Sequence, residues 1–310
     1  VYTRTRELDG LRHLDAEDAT LRQVLAWALE HEPDTAVRLA LALAPWWGIR
    51  GRLASQAPLL TAVSVLADPG SGEWCGAHMF LGQVAQHSED PPAALDHFTM
   101  ARDALEDPAY PVDAAGPWLL SLCLGGRASA LLRLRRLAEA IEDSRRALDL
   151  ARETGVGGLE ATAMASLSHA VWHAGDRDGA LRLARQALAI AAEFAGSLQR
   201  GLSQIVAGIL TEAGDLAAAE QACAAALTSS RDVGDLTNLC GVLWHRTILD
   251  LRTERIDDAP AHLRELLQIA TQTGLRPLLP AGLDCCGHLC AATERPAQAL
   301  TVWAAMSALE

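Results

Sequence analysis

The chain of 310 residues contains no lysine, so all 26 of its basic residues are arginine. The lysine of a phosphate-binding P-loop and the amine of a lysine Schiff base are therefore both excluded within this chain. Positive charge is also scarce overall, since the formal net charge at pH 7 is −13. That balance argues against direct binding of this chain to a nucleic-acid backbone or to an anionic membrane surface.

Long apolar runs, aromatic residues and paired cysteine spacings are lacking as well. The longest apolar run, Leu39 to Ile49, is bracketed by arginines and is too short to span a bilayer, and we expect no signal peptide. Aromatic residues make up only 4% of a chain in which alanine and leucine dominate, which favours close-packed helices. The seven cysteines are odd in number and show no disulfide-framework spacing, so we expect a reducing, cytoplasmic environment.

What the sequence does contain is a repeat. From Gly158 to Ala195 two amphipathic helices are predicted, joined by a tight turn at Gly175-Asp176, and the segment from Ser197 repeats this plan. Alanines in the first turn of the second helix mark each copy at steps of 46, 40, 39, 40 and 40 residues: Ala94, Ala140, Ala180, Ala219, Ala259 and Ala299. A fixed period in this range indicates a helical solenoid, in which no unit buries its apolar face alone.

The sequence predicts about seven helix pairs in an all-α array. We expect residues 1–32 to form a helical junction segment and residues 33–310 to form the repeats. Within the first pair, the helix that begins at Pro33 is predicted to break near Pro45. The clearer pairs are predicted at 74–86 with 93–105, 118–134 with 138–153, 159–174 with 178–194, 197–213 with 217–230, 236–252 with 258–273, and 280–293 with 297–309. Because the chain starts at Val1 and stops at Glu310 within a helical pattern, we expect it to be a piece of a larger protein.

The details within each pair resemble the tetratricopeptide repeat. Twelve residues before each marker alanine lies a mostly small residue that lets the two helices touch: Gly82, Ala128, Ser168, Ala207, Thr247 and Gly287. Seven residues after the marker lies a second small residue, Ala101, Ala147, Ala187 or Ala226, with Leu266 and Met306 as departures. Phe98 occupies a position where the repeat favours an aromatic residue. The resemblance implies a right-handed superhelix, although a period near 40 rather than 34 requires longer helices.

The N-terminal run resembles the junction in bacterial signal-transduction ATPases of the STAND class. The matching residues are Leu21, Ala26 to Leu29, Leu39-Ala40, Trp47, Arg50-Gly51 and Leu53. The ending, Ala299 to Glu310, is similar to the segment that precedes a LuxR-type DNA-binding module in that family. The resemblance implies a transcriptional regulator whose ATPase and DNA-binding modules lie outside this chain, and no cofactor within it.

Two clusters raise the question of a metal site. Cys286 and Cys290 are four residues apart, but the register places both at core positions, and free cysteine is a common small core residue. His169 and His173 also share one helix face, yet no third ligand is identifiable from the sequence. We therefore predict no metal site. No Ser/His/Asp or Cys/His set and no isolated carboxylate pair suggests catalysis.

The resemblance instead directs attention to the first helix of each pair, which lines the concave surface of such arrays. Residues of the types that anchor interfaces lie on its inward face. The candidate groove consists of Gln83, Gln86, His87, Ser129, Arg133, His169, Trp172, His173, Gln204, Thr211, Trp244, Asp284 and His288. Trp172 and Trp244 could equally fill gaps between alanine-rich helices, while Trp27, Trp46 and Trp47 are expected to pack the first pair or an adjoining module.

These observations predict a non-enzymatic sensor arm that binds a protein, a peptide or a small effector in its groove. The alternative is a stand-alone scaffold that joins two proteins. A third possibility, an enzyme domain, is disfavoured because the catalytic motifs are absent.

Overall fold

The computed structural model describes residues 4–109, 116–191, 197–276 and 278–307, and those ranges contain helices but no strand. A short 3-10 turn at Ala54–Gln56 interrupts the otherwise α-helical chain. The helices are α1 (Arg4–Ala16), α2 (Asp18–His31), α3 (Pro33–Ile49), α4 (Ala57–Leu66), α5 (Gly72–His87), α6 (Pro91–Glu106), α7 (Gly116–Arg133), α8 (Leu137–Thr154), α9 (Gly157–His173), α10 (Arg177–Ala191), α11 (Ser197–Ala213), α12 (Leu216–Val233), α13 (Leu236–Arg252), α14 (Ala259–Thr273), α15 (Leu278–Ala292) and α16 (Pro296–Ser307).

Helices α5 to α16 form the six predicted pairs, and the observed ends differ from the predicted ones by a few residues. The all-α, tetratricopeptide-like superhelix is therefore confirmed. Residues 110–115 of the proline-containing loop, 192–194 of the helix predicted at 178–194 and 308–309 of the last predicted helix lie outside the described residues. No helix in the described ranges is both long and apolar enough to cross a membrane.

The turn between the two helices of each pair has a fixed geometry. Seven residues after the small inter-helix residue, the backbone adopts a positive φ, and the predicted turn at Gly175 is one of these positions. The six residues are Glu89, Arg135, Gly175, Gly214, Glu254 and Glu294, with φ between 58° and 95°. Four of the six are not glycine, so these turns hold side chains in a conformation that normally favours glycine.

Close approach of the paired helices explains the small residues in the first helix. A β-carbon on Gly82 would lie 2.8 Å from the ring of Phe98, and one on Gly287 would lie 2.3 Å from Nε1 of Trp303. Ser168 is fully buried, and its hydroxyl donates to the carbonyl of Ala180 over 2.7 Å. The predicted register is confirmed by these contacts.

The two helices of a pair occupy different faces of the array. First helices of successive pairs contact one another from α5 through α15, whereas contacts between successive second helices are few or absent among the described residues. Because neighbours on the shorter inner radius of a curved array lie closer together, the first helices line the inner face.

The N-terminal part begins with α1, within the predicted helical junction segment, and its Leu11 is buried in the N-terminal core. Helix α3 does not break near Pro45 but continues to Ile49. The prediction was wrong because Trp46 and Trp47, only 3% and 4% exposed, anchor the turn that follows the proline in that same core. Trp27 instead lies 54% exposed with its ring stacked on His31, so it does not pack the first pair.

The N-terminal helices also close the superhelix by contacting repeats far along the chain. Helix α1 touches α12, and α3 touches α13. Thr237 donates its hydroxyl to the carbonyl of Gly48 over 2.7 Å. One guanidinium nitrogen of Arg50 donates to the carbonyls of Val233 and Gly234 over 2.5 and 2.8 Å. The N-terminal helices are thus joined to the repeats that contain α12 and α13.

Candidate functional site

Of the predicted groove residues on α5, one makes a hydrogen bond to the neighbouring helix and two are partly accessible to a ligand. Gln86 donates its side-chain amide to the carbonyl of Gly126 on α7 over 2.9 Å, so it joins two neighbouring first helices. Gln83 and His87 are both half-buried on the inner face. Burial lowers the pKa of His87 to about 4, so this imidazole is neutral near pH 7.

On α7 the two predicted residues are open to solvent. Ser129 is exposed, and Arg133 is exposed within 3.5 Å of Glu89. An exposed ion pair of this kind contributes little to stability. Both side chains are free to contact a partner.

The centre of the inner face holds three histidines, of which the sequence analysis named two. His169 and His173 on α9 approach each other with 3.0 Å between their Nε2 atoms. His245 on α13 packs against Gly208, where a β-carbon would lie 2.6 Å from the imidazole. Burial, with a contribution from the neighbouring His173, lowers the pKa of His169 to about 4. Burial and the nearby His169 lower the pKa of His245 to about 4 as well.

Trp172 is more buried than a partly exposed groove residue would be, with 6% of its surface accessible. Its indole N–H donates to Glu212 over 2.7 Å, and the Arg177 guanidinium lies 3.8 Å above its ring. Thr211 is 2% exposed and donates its hydroxyl to the carbonyl of Ala207. Thr211 therefore stabilises its own helix and offers no hydroxyl to a ligand.

Gln204 and Trp244 occupy equivalent positions on α11 and α13. Gln204 is half-buried, and its amide group lies against Gly241 where no β-carbon intervenes. Trp244 is half-buried, packs against the clusters of the last two repeats and lies 4.5 Å from the His245 ring. Both side chains pack on one side and face the inner surface on the other.

At the C-terminal end, Asp284 and His288 interact with α16. Asp284 accepts a hydrogen bond from the Trp303 indole over 3.0 Å and lies 3.6 Å from the exposed His288. The ring of His288 contacts Trp303 edge-on at 5.4 Å. These contacts fix the last pair of helices and leave His288 as the accessible member.

The cysteines are distributed differently from the prediction. Cys285 is buried, whereas Cys286 and Cys290, expected in the core, are only half-buried. Their positions are core positions in earlier repeats because the next repeat covers them, and no further repeat covers α15 among the described residues. Nowhere in the described ranges do three His, Cys, Asp or Glu side chains converge as metal ligands would.

A cavity of about 570 Å³ lies where the first helices end and α10 begins. Its lining residues come from four helices: Trp172, Arg177, Asp178, Leu181, Glu212, Ala213, Ile248 and Arg252. Of this set, only Trp172 belongs to the groove predicted from the sequence. The repeat register could have predicted two more of them. Glu212 on α11 and Arg252 on α13 occupy the repeat position that His173 occupies on α9.

Comparison with known proteins agrees with this architecture. Residues 120–193 match the family model described as tetratricopeptide repeat. Among curated proteins, none matches the chain in sequence.

Several solved structures are similar in fold at low sequence identity. A Rap protein complexed with competence and sporulation factor has a TM-score of 0.59 at 14% identity, covering 98% of this chain and 96% of that one. The Rap conjugation gene regulator of the plasmid pLS20, in complex with the Phr* peptide, has a TM-score of 0.67 at 13% identity, covering 91% and 77%. A STAND protein with a tetratricopeptide repeat sensor from Pyrococcus horikoshii has a TM-score of 0.52 at 14% identity, covering 99% of this chain and 46% of that one.

Proposed function

We propose that this chain is the sensor arm of a cytoplasmic transcriptional regulator and that it binds a protein, a peptide or a small effector on its inner face. The regulator's ATPase and DNA-binding modules would lie outside this chain. Binding would shift the adjoining ATPase module between two states, which requires the ligand to bind one state more tightly than the other.

One observation carries this proposal. The first helices present polar and aromatic side chains on the inner face that remain at least partly accessible to solvent. Gln83, His87 and His169 are half-buried there, and His173 is exposed. A surface that served only packing would be lined by apolar side chains instead. Histidine and tryptophan next to open polar groups are instead suited to recognition.

The structural relatives support the same reading. Two of them were solved with a bound factor or peptide, and a third carries the repeats as the sensor of a STAND protein. The closed arrangement of this chain adds a physical route for a signal. Because α1 and α3 contact α12 and α13, a ligand that alters the inner face also acts on the N-terminal helices.

The test begins with a pull-down by the tagged chain, and calorimetry then measures binding of the recovered partner to variants. Trp244→Ala and the double variant His169→Ala/His173→Ala should each weaken binding by about 2 kcal/mol, roughly thirtyfold. Arg264→Ala on the outer helix α14, where Arg264 is exposed, is the matched control. Equal binding by all variants would refute the inner face as the site.

A second experiment separates the regulator from the stand-alone scaffold. The regulator requires a P-loop before this segment and a helix-turn-helix after it in the full-length sequence. It also requires that the partner change phosphate release by the full-length protein. The isolated chain should release no phosphate from ATP and should not shift duplex DNA. A scaffold would instead hold two proteins at once in the same pull-down.

A further inference from the structure

The cavity at the end of the first helices combines an apolar floor with charges of both signs. Trp172, Leu181 and Ile248 supply the apolar surface. Two arginines and two acidic residues surround it: Arg177, Arg252, Asp178 and Glu212. Its volume of about 570 Å³ lies within the usual range for sites that hold small molecules.

Two of the four charges already have partners. The Arg177 guanidinium stacks on the Trp172 ring at 3.8 Å, and Glu212 accepts the indole N–H over 2.7 Å. Arg177 also lies 4.0 Å from Glu212. These contacts hold the indole in one orientation.

The other two charges retain open bonding capacity: Arg252 is anchored by one hydrogen bond, and Asp178 is exposed to solvent. One Nη1 donor of Arg252 binds the carbonyl of Thr211 over 2.5 Å, which anchors the guanidinium. Within the described residues, the remaining donors of Arg252 and the carboxylate of Asp178 make no hydrogen bond. A cation and an anion on opposite helices, α13 and α10, therefore face the same apolar space.

We propose that this cavity binds a free α-amino acid with a large apolar side chain. Its carboxylate would pair with Arg252, its ammonium group with Asp178, and its side chain would cover Trp172, Leu181 and Ile248. A phosphorylated ligand fits poorly, because Asp178 and Glu212 would repel its charge. A neutral apolar ligand would leave the open charges of Arg252 and Asp178 partly desolvated and unpaired.

The proposal deepens the proposed function, on which it rests, by naming a small effector for one end of the inner face. The lining residues come from three successive repeats, α9 with α10, α11 and α13. A bound amino acid would therefore fix the angle between those repeats. That angle also governs how α12 and α13 meet the N-terminal helices.

Isothermal titration calorimetry of the whole chain tests the proposal with L-leucine and L-phenylalanine. Both should bind, whereas N-acetyl-L-phenylalanine and L-phenylalaninamide, each lacking one charge, should bind at least tenfold more weakly. Asp178→Asn and Arg252→Gln should each weaken L-phenylalanine binding about tenfold or more. Glu139→Gln, at the equivalent first turn of α8, is the matched control and should bind as the parent chain does.

Absence of binding by both amino acids at millimolar concentration would overturn the proposal. Undiminished binding of either blocked form, or by Asp178→Asn with a folded circular-dichroism spectrum, would do so too. The proposed function fails separately, when partner binding is indifferent to Trp244→Ala and to the double histidine variant. If N-acetyl-L-phenylalanine binds as tightly as L-phenylalanine, the cavity does not recognise the ammonium group. The site would then suit a peptide C-terminus, and the proposal of a free amino acid as the ligand would be wrong.

Discussion

Arg200 on α11 and Glu7 on α1, far apart in sequence, form an ion pair with 2.7 Å between Nη2 and Oε1. The same guanidinium donates through Nε to Asp235 over 2.7 Å, and the side chains of Arg200 and Asp235 are 1% and 0% exposed. One arginine therefore joins the N-terminal helix to the start of α13. Together with Arg50 on the carbonyls of Val233 and Gly234, this network closes the superhelix.

Replacing Arg200 with methionine should destabilise the chain by about 3–5 kcal/mol. The loss is expected because the buried carboxylate of Asp235 would keep its charge without a cationic partner, with only the hydrogen bonds from Asn238 remaining. Urea unfolding followed by circular dichroism measures the change. Arg185→Met is the control, since Arg185 is exposed in its pair with Asp215, and its unfolding midpoint should stay unchanged. Equal unfolding midpoints for both variants would show that the ion pairs of Arg200 do not stabilise the folded chain.

Replacing Arg135 with glycine should stabilise the chain by about 1 kcal/mol. Arg135 has φ of 61°, is exposed, and sits at a turn position where glycine occurs in two other repeats. Relief of the left-handed strain outweighs the extra freedom of glycine in the unfolded chain. Thermal unfolding checks the sign, and Glu254→Gly at the same position of a later repeat should behave alike. A lower melting temperature for both variants would contradict this account.

Gly287→Leu should cost about 1–3 kcal/mol or more, because the added side chain would enter the space of Trp303. Gly10→Leu on α1 is the matched control, since nothing lies within 4 Å of a β-carbon there and the site is exposed. The control should be neutral or slightly more stable, given the higher helix propensity of leucine. If the Gly287→Leu variant has the same melting temperature as the parent chain, the paired helices can move apart without a cost in free energy.

As the pH falls, this chain should lose stability at pH values higher than those at which its carboxylates titrate. The pKa values of His78, His87, His169 and His245 are each lowered to about 4, mainly by burial, from an ordinary value of 6.5. These histidines bind protons in the unfolded chain as the pH falls through 6.5, whereas in the folded chain they stay neutral until the pH reaches about 4. Stability is therefore full above pH 6.5 and is lost between 6.5 and 4.

Urea unfolding at pH 7.5 and 5.0 measures that loss, which lies above the pH range in which the carboxylates titrate. His245→Gln should reduce the difference between the two pH values by about 1 kcal/mol, allowing for partial exposure. His288→Gln, at an exposed position, should not. An identical difference in the parent chain and in His245→Gln would remove His245 as the cause.

The cysteines should divide into two classes in a labelling experiment. Burial raises the pKa of Cys75 to about 11 and those of Cys223, Cys240 and Cys285 to about 12, and it raises the pKa of Cys123 as well. Cys286 and Cys290 are half-buried and accessible, although burial also raises the pKa of Cys286. Iodoacetamide at pH 7.5 should therefore modify these two in the folded chain and all seven in denaturant, as mass spectrometry would show. Rapid labelling of Cys123 in the folded chain would contradict the packing of α6 against α7.

The repeat architecture was predictable because its information is local. A period near 40, a small residue twelve positions before each marker and amphipathic spacing specify the helices and how each pair meets. Neighbouring repeats contact one another in sequence order, so the same pattern predicts that Gln83, His87, Ser129, Arg133 and His169 share the inner face. The local rule that a proline ends a helix failed at Pro45, where burial of Trp46 and Trp47 outweighs the lost hydrogen bond.

Only the tertiary structure decided which residues of different repeats contact one another. The curvature of the array is the sum of small rotations between helix pairs, which no single repeat encodes in its sequence pattern. That sum brings Arg200 to Glu7, sets His245 beside His169 across Gly208, and gathers Trp172, Asp178 and Arg252 around one cavity. Sequence alone thus determined which residues share a helix face, and the accumulated rotation determined which faces meet.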